Sequence, residues 1–177
     1  MFKKMYESKL SWILLSLYLF FMESFALYYQ YVIGLEPCAL CVQIRAAVLG
    51  AGLSSILFVL SLSFFGKLFK FTIASLTILF MSIAMYLIYI SYQIEIGEVI
   101  SSCTPGNAFP QWLPLDAILP SFFEAKGICG VSPEIFYGYT MNEVLIPLIA
   151  TPLIILVLAV NSNITLFFRK VAAGPYF

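Results

Sequence analysis

Histidine is absent from this 177-residue chain, and charge is scarce: nine basic and nine acidic residues sum to a formal net charge of zero. Without histidine, a zinc site would want two closely spaced cysteine pairs, and Cys103 and Cys129 are too far apart in sequence to make the second. Zero net charge leaves no basic field to draw in nucleic acid, so no nucleic-acid partner is expected. A charged fraction of 10% is too small to cover a soluble domain. Together with 62% hydrophobic residues and a mean hydropathy of +1.00, it places the chain among membrane proteins. Strand-length alternation of apolar and polar residues is also missing, which argues against a β-barrel.

Long apolar runs are what the sequence does have. Leu10–Tyr29 contains one charge, Glu23, whereas Ala46–Gly66, Phe71–Ile94 and Val144–Phe168 contain none. Each is at least 20 residues long, and a helix of that length crosses about 30 Å of hydrocarbon. Backbone groups in lipid must be paired within their own segment, so each run is expected to be an α-helix. The expected architecture is therefore an all-α membrane protein, a single four-helix bundle over residues 1–177. Its spans lie at about 10–29, 44–66, 71–94 and 144–168, with outer loops at about 30–40 and 95–143.

The few basic residues orient it. Lys3, Lys4 and Lys9 precede the first span, Lys67 and Lys70 separate the second from the third, and Arg169 and Lys170 follow the fourth. By the positive-inside rule both termini and the short middle loop are cytoplasmic. Only Arg45 and Lys126 remain for the outer side. The basic start and apolar run of the first span look like a secretory signal, but the run is long and carries Glu23, so it is read as a retained helix.

The second outer loop holds five of the nine prolines and five glycines, a composition suited to turns. Within it, WLPLDAILPSFF (Trp112–Phe123) is too short and too proline-broken to span a membrane. It is expected either to lie on the outer membrane face or to pack on the outer end of the bundle. Ser121 and Glu124 form a capping-box pattern, and Gly127 is placed to end that turn.

All four cysteines fall on the outer side: Cys38 and Cys41 beside the first loop, Cys103 and Cys129 in the second. In a bacterial inner membrane that side is the oxidising periplasm, where disulfides persist. Cys38–Cys41 and Cys103–Cys129 are the expected pairs, although four cysteines allow three connectivities. Three readings stand side by side: two inert disulfides in a membrane scaffold, a zinc site, or a redox relay.

Details around the first pair favour the relay. A CxxC loop closes too little chain to be an effective staple. Pro37 is placed to open a helix at its first turn, which would put both thiols at the positive end of the second span's dipole. Arg45, four residues after Cys41, lies on the same helix face one turn deeper, where its charge would favour a Cys41 thiolate. Arg45 could equally be an anchor snorkelling to the headgroups. A cation beside a thiolate at lipid depth suits an electron acceptor that lives in the membrane, and quinone fits that description. Glu23 has two readings of its own, as a proton relay or quinone neighbour and as a structural hydrogen-bonding group within the bundle.

Taken together, PCALCVQIR (Pro37–Arg45), FPQWLPLD (Phe109–Asp116) and ESFALYYQ (Glu23–Gln30) resemble the DsbB family of bacterial disulfide bond formation proteins. The four spans and a long second loop with a cysteine near each end match as well. That resemblance implies a quinone-dependent thiol oxidase of the inner membrane. It would reoxidise a periplasmic thioredoxin-fold protein of the DsbA type and pass electrons to ubiquinone or menaquinone. It also implies roles. A partner thiolate attacks Cys103, and the released Cys129 attacks Cys38. Cys41 ends as the thiolate facing quinone, whose oxygen Arg45 holds. One departure is Ile44, where the family often has an acid, leaving Arg45 without an adjacent counter-ion. Proteins resembling vitamin K epoxide reductase also pair a membrane CxxC with loop cysteines, but their CxxC comes late in the bundle.

Overall fold

The structure is a computed structural model that describes residues 2–64, 66–100, 103, 108–136 and 138–172. Part of the second outer loop, including Pro105, lies outside the described residues. A short helix α1 (Phe2–Glu7) leads into α2 (Lys9–Tyr31), α3 (Ala39–Phe64) and α4 (Lys67–Glu95). The outer loop then forms two single-turn helices, α5 (Leu115–Ile118) and α6 (Pro120–Phe123), and a small antiparallel hairpin, β1 (Glu134–Phe136) with β2 (Tyr139–Thr140). The last helix, α7, runs from Met141 to Ala172. Among the described residues, the helices α2, α3, α4 and α7 are long enough and apolar enough to cross a membrane.

The spans pack as a row: α2 on α3, α3 on α4, α4 on α7, with α1 folded against α7 at the cytoplasmic end. In lipid no hydrophobic force draws helices together, so close approach depends on small residues and a few hydrogen bonds. The α3–α4 contact shows both. Ala51, Ala74 and Ala84 are fully buried, the Ser54 and Thr77 hydroxyls are 2.9 Å apart, and a Cβ on Gly50 would run into the Phe80 ring at 2.9 Å. Trp12 stacks on Phe58 at 3.8 Å to fill the inner end. A second, separate apolar cluster sits at the outer end and contains two of the cysteines.

Both ends of α7 differ from a simple hydropathy reading. Hydropathy begins the span at Val144, but the helix begins at Met141, because Thr140 and Glu143 close a capping box. The Thr140 N–H donates to Glu143 Oε2 at 3.0 Å, and the Glu143 N–H donates to Thr140 Oγ1 at 3.4 Å. The capping box expected at Ser121–Glu124 does not form. Helix α6 starts at Pro120 with Leu119 as its N-cap, so Ser121 is already inside the turn, and Glu124 is the C-cap. The proline-broken segment packs on the outer end of the bundle through one side chain. Phe123 is buried against the bundle while Trp112 and Ile118 are exposed.

Candidate functional site

The CxxC forms the opening turn of α3, several residues before the apolar run that marks the span. Cys38 is the N-cap: its carbonyl accepts from Val42 N at 3.1 Å, and its Sγ accepts from Cys41 N at 3.1 Å. A sulfur held there faces the free N–H groups and positive dipole end that stabilise a thiolate. Cys38 and Cys41 are joined as a disulfide, with Cα atoms 5.0 Å apart. Pro37 does not open the helix, since it precedes the N-cap. Its carbonyl instead receives two backbone donors from the second outer loop, Lys126 N at 3.1 Å and Gly127 N at 3.0 Å.

Gly127 does not end the α6 turn, as the sequence suggests; it makes a parallel bridge with Cys38. Any Cβ at Gly127 would collide with the Glu36 carbonyl oxygen, so only glycine lets the two backbones meet this closely. Two residues later Cys129 is joined to Cys103, with Cα atoms 6.1 Å apart. Cys38 and Cys129 are both buried in one apolar cluster with Ala39, Val42, Phe123 and Ala125. Phe109 meets the Phe123 ring edge-on at 5.7 Å, and Gln43 Nε2 donates to the Ala108 carbonyl. No long excursion of the loop is needed to reach the first pair; it is already docked there. Cys41 and Cys103 are only half-buried.

Arg45 is no snorkelling anchor. It is buried, its Nε donates to Glu23 Oε1 of α2 at 2.8 Å, and its Nη1 donates to Gln30 Oε1 at 2.5 Å. The counter-ion missing at Ile44 is supplied by another helix. Gln30 in turn donates from Nε2 to the Ser121 carbonyl at 3.5 Å, tying this network to α6. The remaining guanidinium nitrogen, Nη2, is buried with no hydrogen-bond partner among the described residues. Arg45 is in the wall of a cavity of about 500 Å³ between α2, α3, α7 and the segment after Cys129, lined mostly by apolar side chains together with Cys38, Cys41, Glu23 and Gln30. The sequence did carry a signal for the Glu23–Arg45 pair. They are the two charges inside the spans, and both lie roughly 10 Å below the outer ends of their helices at 1.5 Å per residue. Opposite charges at equal depth in lipid find each other.

A four-helix membrane protein with two disulfides stacked at its outer end, one of them on a lipid-level cavity, is built for thiol–disulfide exchange at the membrane surface. Comparison with known proteins agrees. The family described as "Disulfide bond formation protein DsbB" matches residues 8–160. Curated relatives named disulfide bond formation protein B include one from Aeromonas salmonicida, 31% identical over 88% of this chain and 90% of its own length. Another, from Vibrio parahaemolyticus, is 30% identical over 87% and 86%, and one from Photobacterium profundum is 29% identical over 93% and 91%. The chain belongs to the DsbB family, the quinone-dependent thiol oxidases of disulfide bond formation in the bacterial inner membrane. The scaffold and vitamin-K-epoxide-reductase-like readings are set aside with that assignment.

Proposed function

We propose that electrons enter at Cys103–Cys129, pass to Cys38–Cys41, and leave to a membrane quinone held in the cavity beside Arg45. The observation that carries this reading is the two-sided position of the CxxC. Cys38 packs with Cys129 on one side, and Cys38 and Cys41 line the cavity on the other.

Exposure sorts the roles within the loop pair. A thiolate of a DsbA-type periplasmic partner attacks the half-buried Cys103, forming a mixed disulfide and expelling buried Cys129 as a thiolate. Cys129 then attacks Cys38, breaking the Cys38–Cys41 bond and releasing Cys41 as the thiolate next to Arg45. The partner's second thiolate resolves the mixed disulfide and leaves oxidised. The freed Cys103 re-forms its bond with Cys129, which leaves Cys38 and Cys41 as a dithiol. Two electrons and two protons have moved from the partner to the CxxC, and each step exchanges one S–S bond for another.

The cavity residues fit a quinone: an apolar lining, and in the wall a guanidinium with one nitrogen left without a partner among the described residues. Bound there, quinone supplies a two-electron, two-proton acceptor. Arg45 would hold a ring oxygen and stabilise negative charge, and Glu23 and Gln30 fix which guanidinium nitrogen is presented. Either ubiquinone or menaquinone answers to this chemistry. The test is loss of quinone absorbance when the purified protein meets a soluble quinone and a reduced DsbA-type protein. Loss that requires each of Cys38, Cys41, Cys103 and Cys129 is expected. Consumption that continues in a Cys41→Ser protein would end the proposal.

A further inference from the structure

Helices α2 and α7 are the two ends of the packed row, and the seam between them is where the cavity lies. Its lining on α2 runs from Gln30 inward to Tyr18, about 18 Å at 1.5 Å per residue. Phe21 and Phe25, on the way, are 67% and 42% exposed, so this flank borders hydrocarbon. Farther inward the same seam holds a second, smaller cavity of about 170 Å³, lined by Tyr6 and Trp12, by Leu15 of α2, and by Pro152 and Leu156 of α7.

One hydrogen bond stands at the inner end of the larger cavity: Tyr18 Oη donates to the Leu148 carbonyl at 2.9 Å, from α2 across to α7. A carbonyl in a helix is ordinarily taken by the N–H four residues on, but here that residue is Pro152, which has none. The carbonyl would be left unpaired at lipid depth, where no water can serve it, and Tyr18 supplies the donor. The proline and the tyrosine form one device, built from residues on two helices.

We propose that the Tyr18–Leu148 latch separates the two cavities and thereby makes Tyr18 the residue that directs a quinone's isoprenoid tail. With the ring beside Arg45 and Cys41, the latch denies the tail an inward path, and the tail leaves sideways past Phe21 and Phe25 into lipid. This rests on the quinone reading of the larger cavity. With the latch cut the two cavities join, the tail gains a second path, and the ring is drawn away from Cys41.

The test uses a short-tailed quinone bearing a photoreactive diazirine at the tail end, with the full-length protein in lipid nanodiscs. Labelled residues are mapped by mass spectrometry. Tyr18→Ala is made together with Pro152→Ala, which returns an N–H to the Leu148 carbonyl and keeps α7 intact. In the unaltered protein the label is expected on the α2 segment around Phe21 and Phe25, and in the double variant on inner residues such as Leu156. The rate with a tailed quinone, relative to its tail-less ring, is expected to fall about three- to tenfold in the variant, the equivalent of one net hydrogen bond. Label on Leu156 in the unaltered protein, or an unchanged label and rate ratio in a folded variant, overturns the latch. No labelling of α2, α3 or α7 that tail-less quinone can compete away overturns the cavity reading beneath it as well.

Discussion

At the scale of single residues, the arrangement around Arg45 decides what the site can do. A guanidinium has its donors in a fixed planar fork, so occupying some of them determines where the rest point. Glu23 takes Nε and Gln30 takes Nη1, which leaves Nη2 as the nitrogen without a partner among the described residues, on a side chain that lines the cavity. Arg45→Ala is therefore expected to weaken quinone affinity about ten- to hundredfold, the worth of a hydrogen bond from a charged donor, while thiol exchange at Cys103 largely continues. Titration with quinone, set against a separate assay of mixed-disulfide formation, checks both halves. Unchanged quinone affinity would return Arg45 to a purely structural role. Glu23→Gln removes the charge and keeps the shape, leaving a buried cation uncompensated at a cost of about 3 kcal/mol. Adding Arg45→Leu to it should recover most of that stability in a thermal unfolding series. A double variant less stable than Glu23→Gln alone would mean that Glu23 serves something other than Arg45.

At the scale of elements, the spans were legible and their ends were not. Apolar length locates a membrane helix because lipid forces backbone pairing, but it says nothing of the polar turns that continue the helix beyond the hydrocarbon. Hydropathy marks the second span from near residue 44, and only the placement of Pro37 and the CxxC points to a helix that begins earlier, at Ala39 with Cys38 as its cap; for α7, hydropathy begins at Val144, whereas Thr140 caps the helix at Met141. The Thr140–Glu143 signal is a plain T-x-x-E pattern that a hydropathy window passes over. The loop was harder still, since it is held by contacts between residues far apart in sequence, the tightest of them Gly127 against Glu36 and Pro37. Gly127→Ala must push the loop away from Cys38. A misplacement of even about 1 Å can cost on the order of a hundredfold in rate, so transfer between the two cysteine pairs should slow strongly. Stopped-flow reduction by a DsbA-type partner would show it, with mixed-disulfide formation at Cys103 still fast. Transfer at the normal rate would mean that the docked arrangement is not the one that reacts.

At the scale of the whole molecule, the proposed relay sets the two cysteine pairs along a gradient of environment, with a periplasmic protein partner at Cys103 and membrane quinone at Cys41. On that proposal the CxxC lies where water meets lipid because its two exchange partners live on opposite sides of the boundary. The sequence carried this polarity in its charge distribution, since seven of its nine basic residues lie on the cytoplasmic side and all four cysteines on the other. It did not carry the seam between α2 and α7, because Tyr18 and Leu148 are 130 residues apart and their pairing depends on how the row of helices curls. If the pairs are two halves in series, they can be separated. A protein carrying Cys103→Ser and Cys129→Ser should no longer consume quinone with a DsbA-type partner. Losing that cross-link, which joins residues 26 apart, costs the loop roughly 3 kcal/mol of restraint and loosens the cover over Cys38. A small dithiol such as dithiothreitol should then reach Cys38–Cys41 and still drive quinone consumption. Failure of the small dithiol in a folded variant would show that the loop is part of the quinone half itself, and the division into two halves would have to be abandoned.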